Sequence, residues 1–159
     1  TGKISYKFKE FKISKVVNEV VYNSNMLLKE GQHINYPDDI DELSLVQDEK
    51  TVELALSNLV HNAIKYSPEH SIINIKVRQE HSETTFVIND NGIGIPKSEQ
   101  KNIFNRYFRE NYINHEGLGI GLSLVKKITE LNKWNIHMES KKGIGTKITI
   151  NFQNLWKNS

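Results

Sequence analysis

At 159 residues, with 37% hydrophobic and 25% charged side chains, the chain has the size and composition of one globular domain with a single core. A formal net charge of +2 is too small to imply a nucleic-acid partner. The absence of cysteine excludes disulfide scaffolds, thiolate zinc sites and cysteine nucleophiles.

Residues 1–13 alternate loosely through Tyr6, Phe8, Phe11 and Ile13 and read as an arm ending in a short strand. Ser14 is the candidate N-cap of an amphipathic helix that places Val16, Val17, Val20, Val21, Leu27 and Leu28 inward until Gly31. Short strands are expected at 34–36 and 44–46, separated by the turn-forming Pro37-Asp38-Asp39. A second helix begins near Glu49. Val52, Ala55, Leu56, Leu59, Val60 and Ala63 give it one continuous apolar face, and Pro68 ends it.

Strands follow at 73–77 and 84–88. Residues 89–117 lack a regular apolar period and are rich in Asn and Gly, which suggests a long functional loop containing a short helix. A third helix opens at Gly121 and runs to Asn132, and strands at 135–139 and 146–152 close the chain. The order of elements predicts an α+β domain with helices on one face of a sheet. No apolar run approaches the roughly 20 residues that a membrane span needs. The start, Thr1-Gly2-Lys3, suggests an excised fragment rather than a signal peptide.

Five segments carry chemistry. On the second helix Asn58, Asn62 and Lys65 form one polar stripe, able to hold a hydrated metal ion and polyphosphate oxygens, or simply to face water. Asn89-Asp90-Asn91-Gly92-Ile93-Gly94 runs from a strand into a glycine-punctuated turn. A carboxylate there can accept a hydrogen bond from an amine such as adenine N6, and Gly92 and Gly94 would let the backbone approach a flat ring. An ordinary hairpin turn is the alternative, though no strand-like run follows Pro96.

Gly117-Leu118-Gly119-Ile120-Gly121-Leu122 opens a helix, where free backbone N–H groups could bind phosphate, or the glycines could serve tight packing. Neither a dinucleotide fingerprint nor a P-loop is present. Between these segments, Phe104, Tyr107 and Phe108 could pin a lid while Arg106 or Arg109 reaches a terminal phosphate. Standing alone, the segment reads rather as a short amphipathic helix with exposed arginines. Gly143-Ile144-Gly145-Thr146 stands at a strand start, as a tight turn or as a hydroxyl aimed at a nucleotide base.

Taken in order, the five segments resemble the N box, the F box and the three glycine boxes of the histidine-kinase catalytic domain, across about residues 48–152. The resemblance implies the Bergerat ATP-binding fold over the whole chain: a two-layer α/β sandwich, with a mixed sheet, three main helices on one face and a mobile ATP lid. Residues 1–10 would be an arm from an upstream domain and 96–116 the lid. It implies ATP or ADP with Mg²⁺ as ligands. Asn62 would hold Mg²⁺, with Asn58 and Lys65 beside it, and Tyr66 would contact base or ribose. Asp90 would accept from adenine N6, assisted by Thr146, while Gly92, Gly94 and Ile95 line the base. Arg106 and Arg109 would reach the γ-phosphate, with Tyr107 in the lid. Gly117, Leu118, Gly119, Gly121 and Leu122 would wrap the phosphates.

Relatives that hydrolyse ATP carry a Glu four residues before the metal-binding Asn. Here that position is Asn58, which cannot act as a base, and this suits transfer to a histidine. None of the six histidines, His33, His61, His70, His81, His115 and His137, stands in a phosphoacceptor context. The acceptor is therefore expected on an upstream dimerisation domain, with a response regulator as indirect partner. The resemblance places the chain as a cytoplasmic, monomeric domain without direct membrane contact, in a membrane-anchored sensor kinase. A degenerate ATP-binding regulatory module, and an ATPase or serine kinase of the same fold, are the alternatives. Lys133-Trp134 replaces a glycine pair often found after the last helix.

Overall fold

The computed structural model describes residues 6–101 and 118–153, with 118–121 by backbone alone. Strand β1 (Phe8–Lys12) passes directly into helix α1 (Ile13–Ser24) and a single 3-10 turn (Asn25–Leu27). Then come β2 (His33–Asn35), β3 (Ser44–Asp48), α2 (Glu49–Lys65), β4 (Ile72–Glu80) and β5 (Glu83–Asp90). A four-residue helix α3 (Lys97–Gln100), helix α4 (Leu118–Asn132) and strands β6 (Asn135–Lys141) and β7 (Gly145–Gln153) complete the described chain.

The main sheet runs β2-β4-β5-β7-β6, with β2 parallel to β4 and every other pair antiparallel. It is mixed, as expected. Strands β1 and β3 form a separate antiparallel pair. Period-two alternation turns Ile73 and Ile75 of β4, Phe86 and Ile88 of β5, and Ile148, Ile150 and Phe152 of β7 toward the helices. Lys76, Arg78 and Lys147 stay on the other face. Helix α2 lies between α1 and α4 and packs on β4 and β5. All six apolar residues that the periodicity singled out on α2 are buried.

Two features of α1 differ from expectation. Its N-cap is Lys12, not Ser14, and makes no side-chain cap bond. The Ile13 N–H is taken by the Leu43 carbonyl at 3.0 Å, so strand pairing hands the chain to the helix without a polar cap. The helix also stops at Ser24 instead of reaching Gly31, and Leu27 is exposed. Asn23-Ser24-Asn25 is a poor helix-propagating run, because these side chains compete for nearby backbone groups.

Helix α2 carries the polar stripe, and both its ends are fixed. Asp48 caps the start: Oδ1 accepts from the Thr51 N–H and hydroxyl at 2.9 Å each, and Oδ2 from the Lys7 N–H at 2.6 Å. Burial pushes the Asp48 carboxyl up, but these hydrogen bonds outweigh it and hold the group below its ordinary value. At the other end, buried Gln32 donates through Nε2 to the Ile64, Ser67 and Pro68 carbonyls. Lys29 Nζ donates to the Lys65 and Ser67 carbonyls at 2.8 and 2.6 Å. The last carbonyls of α2 are thereby satisfied by a segment more than thirty residues earlier.

Helix α4 begins at Leu118 rather than Gly121, so Gly119 and Gly121 lie within its first turns. It ends on Lys133, whose φ of 60° is left-handed, and the Trp134 N–H closes onto the Thr129 carbonyl at 2.9 Å. Trp134 is buried edge-on against Phe152, centroids 4.4 Å apart, and its Nε1 donates to Gln47 Oε1 at 3.3 Å. The replacement for the glycine pair is thus a lysine forced into a glycine conformation and a tryptophan filling the core.

Candidate functional site

A cleft opens between α2, the start of α4 and the ends of β5 and β7. Its space is about 580 Å³, open solvent at its mouth included. Apolar walls come from Leu59 and Ala63 of α2, Ile88 of β5, Leu122 of α4 and Ile148 of β7, with Ile93 and Ile95 from the loop after β5. Three polar side chains converge on this lining: Asn62, Asp90 and Thr146, with Tyr66 at the end of α2. An apolar slot with a few directed polar groups suits a flat heteroaromatic ligand.

Asp90 ends β5, opposite Thr146 in the register with β7. Its Oδ1 accepts the Gly92 N–H at 2.7 Å and the Thr146 N–H at 3.2 Å. Among the described residues nothing bonds to Oδ2. Burial pushes the Asp90 carboxyl above its ordinary value, and the two backbone N–H bonds offset this only in part. The carboxylate is pinned by one oxygen and presents the other as an acceptor.

Glycines 92, 94 and 145 hold the loop in place. A Cβ on Gly92 would stand 2.4 Å from the Tyr66 carbonyl, and one on Gly94, where φ is +72°, 2.0 Å from the Lys141 carbonyl. The protein's own backbone already requires these glycines. Gly94 and Ile95 do line the cleft, whereas Gly92 turns to a neighbouring groove. The Ile93 N–H bonds to the Tyr66 carbonyl, and the Gly143 N–H to the Ile93 carbonyl at 2.7 Å. These bonds clamp the loop between α2 and the β6–β7 turn.

Asn62 faces the cleft with its Nδ2 buried and unpartnered among the described residues. A buried amide without a partner costs free energy unless a ligand or ion completes it. Asn58, one turn earlier, is not part of the lining; its Nδ2 donates back to the Leu54 carbonyl at 2.8 Å. Lys65 is exposed, its Nζ 5.9 Å from the Tyr66 ring centroid, and borders the neighbouring groove. The stripe seen in the sequence is real as a helix face, yet only its middle residue enters the cleft. Next to Asn62, the buried Nε2 of His61 has no hydrogen-bond partner among the described residues, and burial lowers the pKa of the imidazole.

Of the residues expected in the site, Asn62, Tyr66, Asp90, Gly94, Ile95, Leu122 and Thr146 come together around one cleft. Arg106, Tyr107, Arg109 and Gly117 lie outside the described residues. Leu118, Gly119 and Gly121 are described only as helical backbone. Among the described residues no group of three or more His, Asp or Glu is placed to hold a metal. Ser140 was missed. Its only sequence signal is its place opposite Thr146 across a short turn between two strands.

Residues 47–155 match the family described as histidine kinase-, DNA gyrase B-, and HSP90-like ATPase. Histidine kinase P4 of Formosa agariphila is 32% identical over 146 residues, 86% of this chain and 10% of that protein. The heme sensor protein HssS of Staphylococcus saprophyticus is 33% identical over 120 residues, 75% of this chain and 26% of that protein. The chain thus spans about a quarter or less of these curated relatives. Among solved structures, the catalytic domain of the histidine kinase ThkA superposes with a TM-score of 0.78 at 23% identity, covering 93% of this chain and 96% of that one. ThkA has also been solved in complex with the response regulator protein TrrA, with a TM-score of 0.73. The fold is that of histidine-kinase catalytic domains.

Proposed function

This chain belongs to the family of histidine kinase-, DNA gyrase B- and HSP90-like ATPases, and from that premise we propose that it is the ATP-holding part of a sensor histidine kinase. It binds ATP in the cleft and donates the γ-phosphoryl group to a histidine on a separate dimerisation domain. The observation that carries this reading is Asp90: a carboxylate fixed through Oδ1, with Oδ2 left as an acceptor in an apolar slot. That arrangement suits an exocyclic amine on a flat ring, as in adenine. Thr146 and Tyr66 complete the base site, with Gly94 and Ile95 as its floor.

The unpartnered amide of Asn62 fits Mg²⁺, which is commonly held by one or two side-chain oxygens together with substrate phosphates. A half-turn of the carboxamide presents its oxygen. When bound, the ion offsets charge on the phosphates. Asn58 and Lys65 flank Asn62 on the same helix face, one turn before and one turn after it, as side chains near the metal and phosphates, and Arg106 and Arg109 are the cations assigned to the terminal phosphate. A neutral amide at Asn58 cannot serve as the base that activates water, which disfavours hydrolysis and suits a domain that holds ATP until an acceptor is presented. The imidazole of that acceptor is itself the nucleophile near pH 7.

Residues 1–159 act as one domain, with 96–116 as the lid. Its partners are the dimerisation domain of the same protein and, through it, a response regulator. None of the described helices is long and apolar enough to cross a membrane. We assign the domain to the cytoplasmic side of a membrane-anchored kinase.

The test supplies labelled ATP and Mg²⁺ together with a histidine-bearing dimerisation domain. Acid-labile phosphate on that domain is the expected outcome. Binding without transfer would instead indicate a regulatory module, and steady phosphate release or acid-stable phosphoserine would indicate an ATPase or serine kinase.

A further inference from the structure

Ser140 lies in β6 opposite Thr146, outside all five motifs. Its Oγ accepts the Ile95 N–H at 2.8 Å, stands 2.8 Å from Thr146 Oγ1, and lies 3.1 Å from the Gly145 carbonyl. Ile95 and Thr146 are both walls of the cleft. One hydroxyl therefore ties the loop wall to the strand wall. The main-chain carbonyl of the same residue accepts from Gln100 Nε2 at 2.8 Å, and that amide nitrogen also reaches the Ile95 carbonyl at 2.8 Å. Ser140 is held from both sides while it holds Thr146.

A serine hydroxyl has one proton and two lone pairs. The Ile95 N–H occupies one lone pair. The proton goes either to the Gly145 carbonyl or to Thr146 Oγ1. In the first arrangement Thr146 must donate to Ser140 and turns only lone pairs toward the cleft. In the second Thr146 keeps its own proton, but the Gly145 carbonyl, which can only accept, loses its contact, so only the first arrangement makes all three contacts. Asp90 supplies an acceptor beside Thr146. Fixed lone pairs on Thr146 can hold a bridging water that donates to a ring nitrogen next to an exocyclic amine.

We infer that Ser140 is a positioning residue for base recognition, fixing Thr146 Oγ1 at the cleft wall with its lone pairs turned toward the base site. The inference rests on the reading of the cleft as an adenine site. Ser140 touches no ligand itself and acts through Thr146.

The test is a double-mutant cycle read by calorimetric titration of ADP into the 159-residue chain. Ser140→Ala weakens ADP binding about three- to tenfold, the range of one hydrogen bond, and Ser140→Thr, which keeps the hydroxyl, restores it. In a Thr146→Val background, Ser140→Ala adds less than about twofold, because the group it positions is gone. A purely structural role through the Ile95 backbone would cost the same factor in both backgrounds, and that result overturns the inference. So does an unchanged affinity in Ser140→Ala. Should Ser140→Ala not melt cooperatively, Ser140→Cys, with its weak donor, poses the same comparison. Asp90→Asn is the separating control. If it also leaves ADP affinity unchanged, the adenine reading itself fails. If it weakens binding while Ser140 and Thr146 prove uncoupled, only the role of Ser140 is refuted.

Discussion

Replacing Asp90 by asparagine leaves the side chain's shape almost unchanged and reverses the polarity of the group that faces the cleft. The outcome follows from the backbone around it. The Gly92 N–H at 2.7 Å and the Thr146 N–H at 3.2 Å both demand an acceptor, so the amide oxygen of the substituted side chain must take the Oδ1 place. Its NH₂ then occupies the Oδ2 place and meets the adenine amine donor to donor. A hydrogen bond to a charged group contributes about 1.5–3 kcal/mol, so its loss weakens adenine nucleotide binding roughly 10- to 150-fold. Isothermal titration with ADP measures this directly. An affinity within about twofold of the parent would refute the base-site assignment.

The same substitution has an opposite effect on the ligand-free protein. Burial holds the folded Asp90 carboxyl above its unfolded value of about 3.9. For such a group the favourable contribution is complete below the unfolded value and is lost as pH rises through the folded value. At neutral pH the buried charge therefore destabilises the ligand-free chain. The Asp90→Asn variant should melt at or above the parent temperature at pH 7, with the advantage shrinking as pH falls toward about 4. Nucleotide affinity of the parent should fall over the same descent, as the acceptor becomes protonated. A variant that melts clearly below the parent at pH 7 would contradict the electrostatic argument.

Three further outcomes are expected. Asn62→Ala should abolish the gain in ADP affinity that Mg²⁺ confers while leaving metal-free binding in place, as titrations with Mg²⁺ and with chelator will show. Its ligand-free melting temperature should hold or rise, because an unpartnered buried amide is replaced by the best helix former. Lys133→Gly relieves a left-handed lysine at the C-terminal cap of α4 and should stabilise the chain by roughly 1 kcal/mol in urea unfolding, with an unchanged slope. His61 is held neutral by burial, so its folded pKa lies below the unfolded value of about 6.5. Its contribution to stability is present above that value and declines as pH falls through the folded one. His61→Gln should accordingly flatten the loss of melting temperature between about pH 7 and pH 5.

The helices and strands were readable because their signals are local. The six apolar positions of α2 repeat at helical spacing and all are buried, whatever the rest of the chain does. The strands of the main sheet alternate inward and outward as their residues do. The ends of α1 were less readable. Ser14 looked like a cap, yet the Leu43 carbonyl, far along the chain, had already taken the Ile13 N–H. Where the helix starts depends on where strand pairing ends, and a distant segment set that point.

The sequence by itself determined which chemistry the chain could carry: a carboxylate after a strand, an Asn on a helix, a Thr at a strand start, and glycines where backbones meet. Those are choices of residue type, and ordered motifs preserve them. Tertiary structure alone decided which of these groups share a cleft. It admitted Asn62 and turned Asn58 back onto its own helix. It made Gly92 and Gly94 answer to the Tyr66 and Lys141 carbonyls. It also brought in Ser140, whose bond to the Ile95 N–H spans 45 residues. Periodicity describes how a side chain leaves its own element. What that side chain meets depends on sheet register and on packing between elements far apart in the chain, where the polarity of the base site is set.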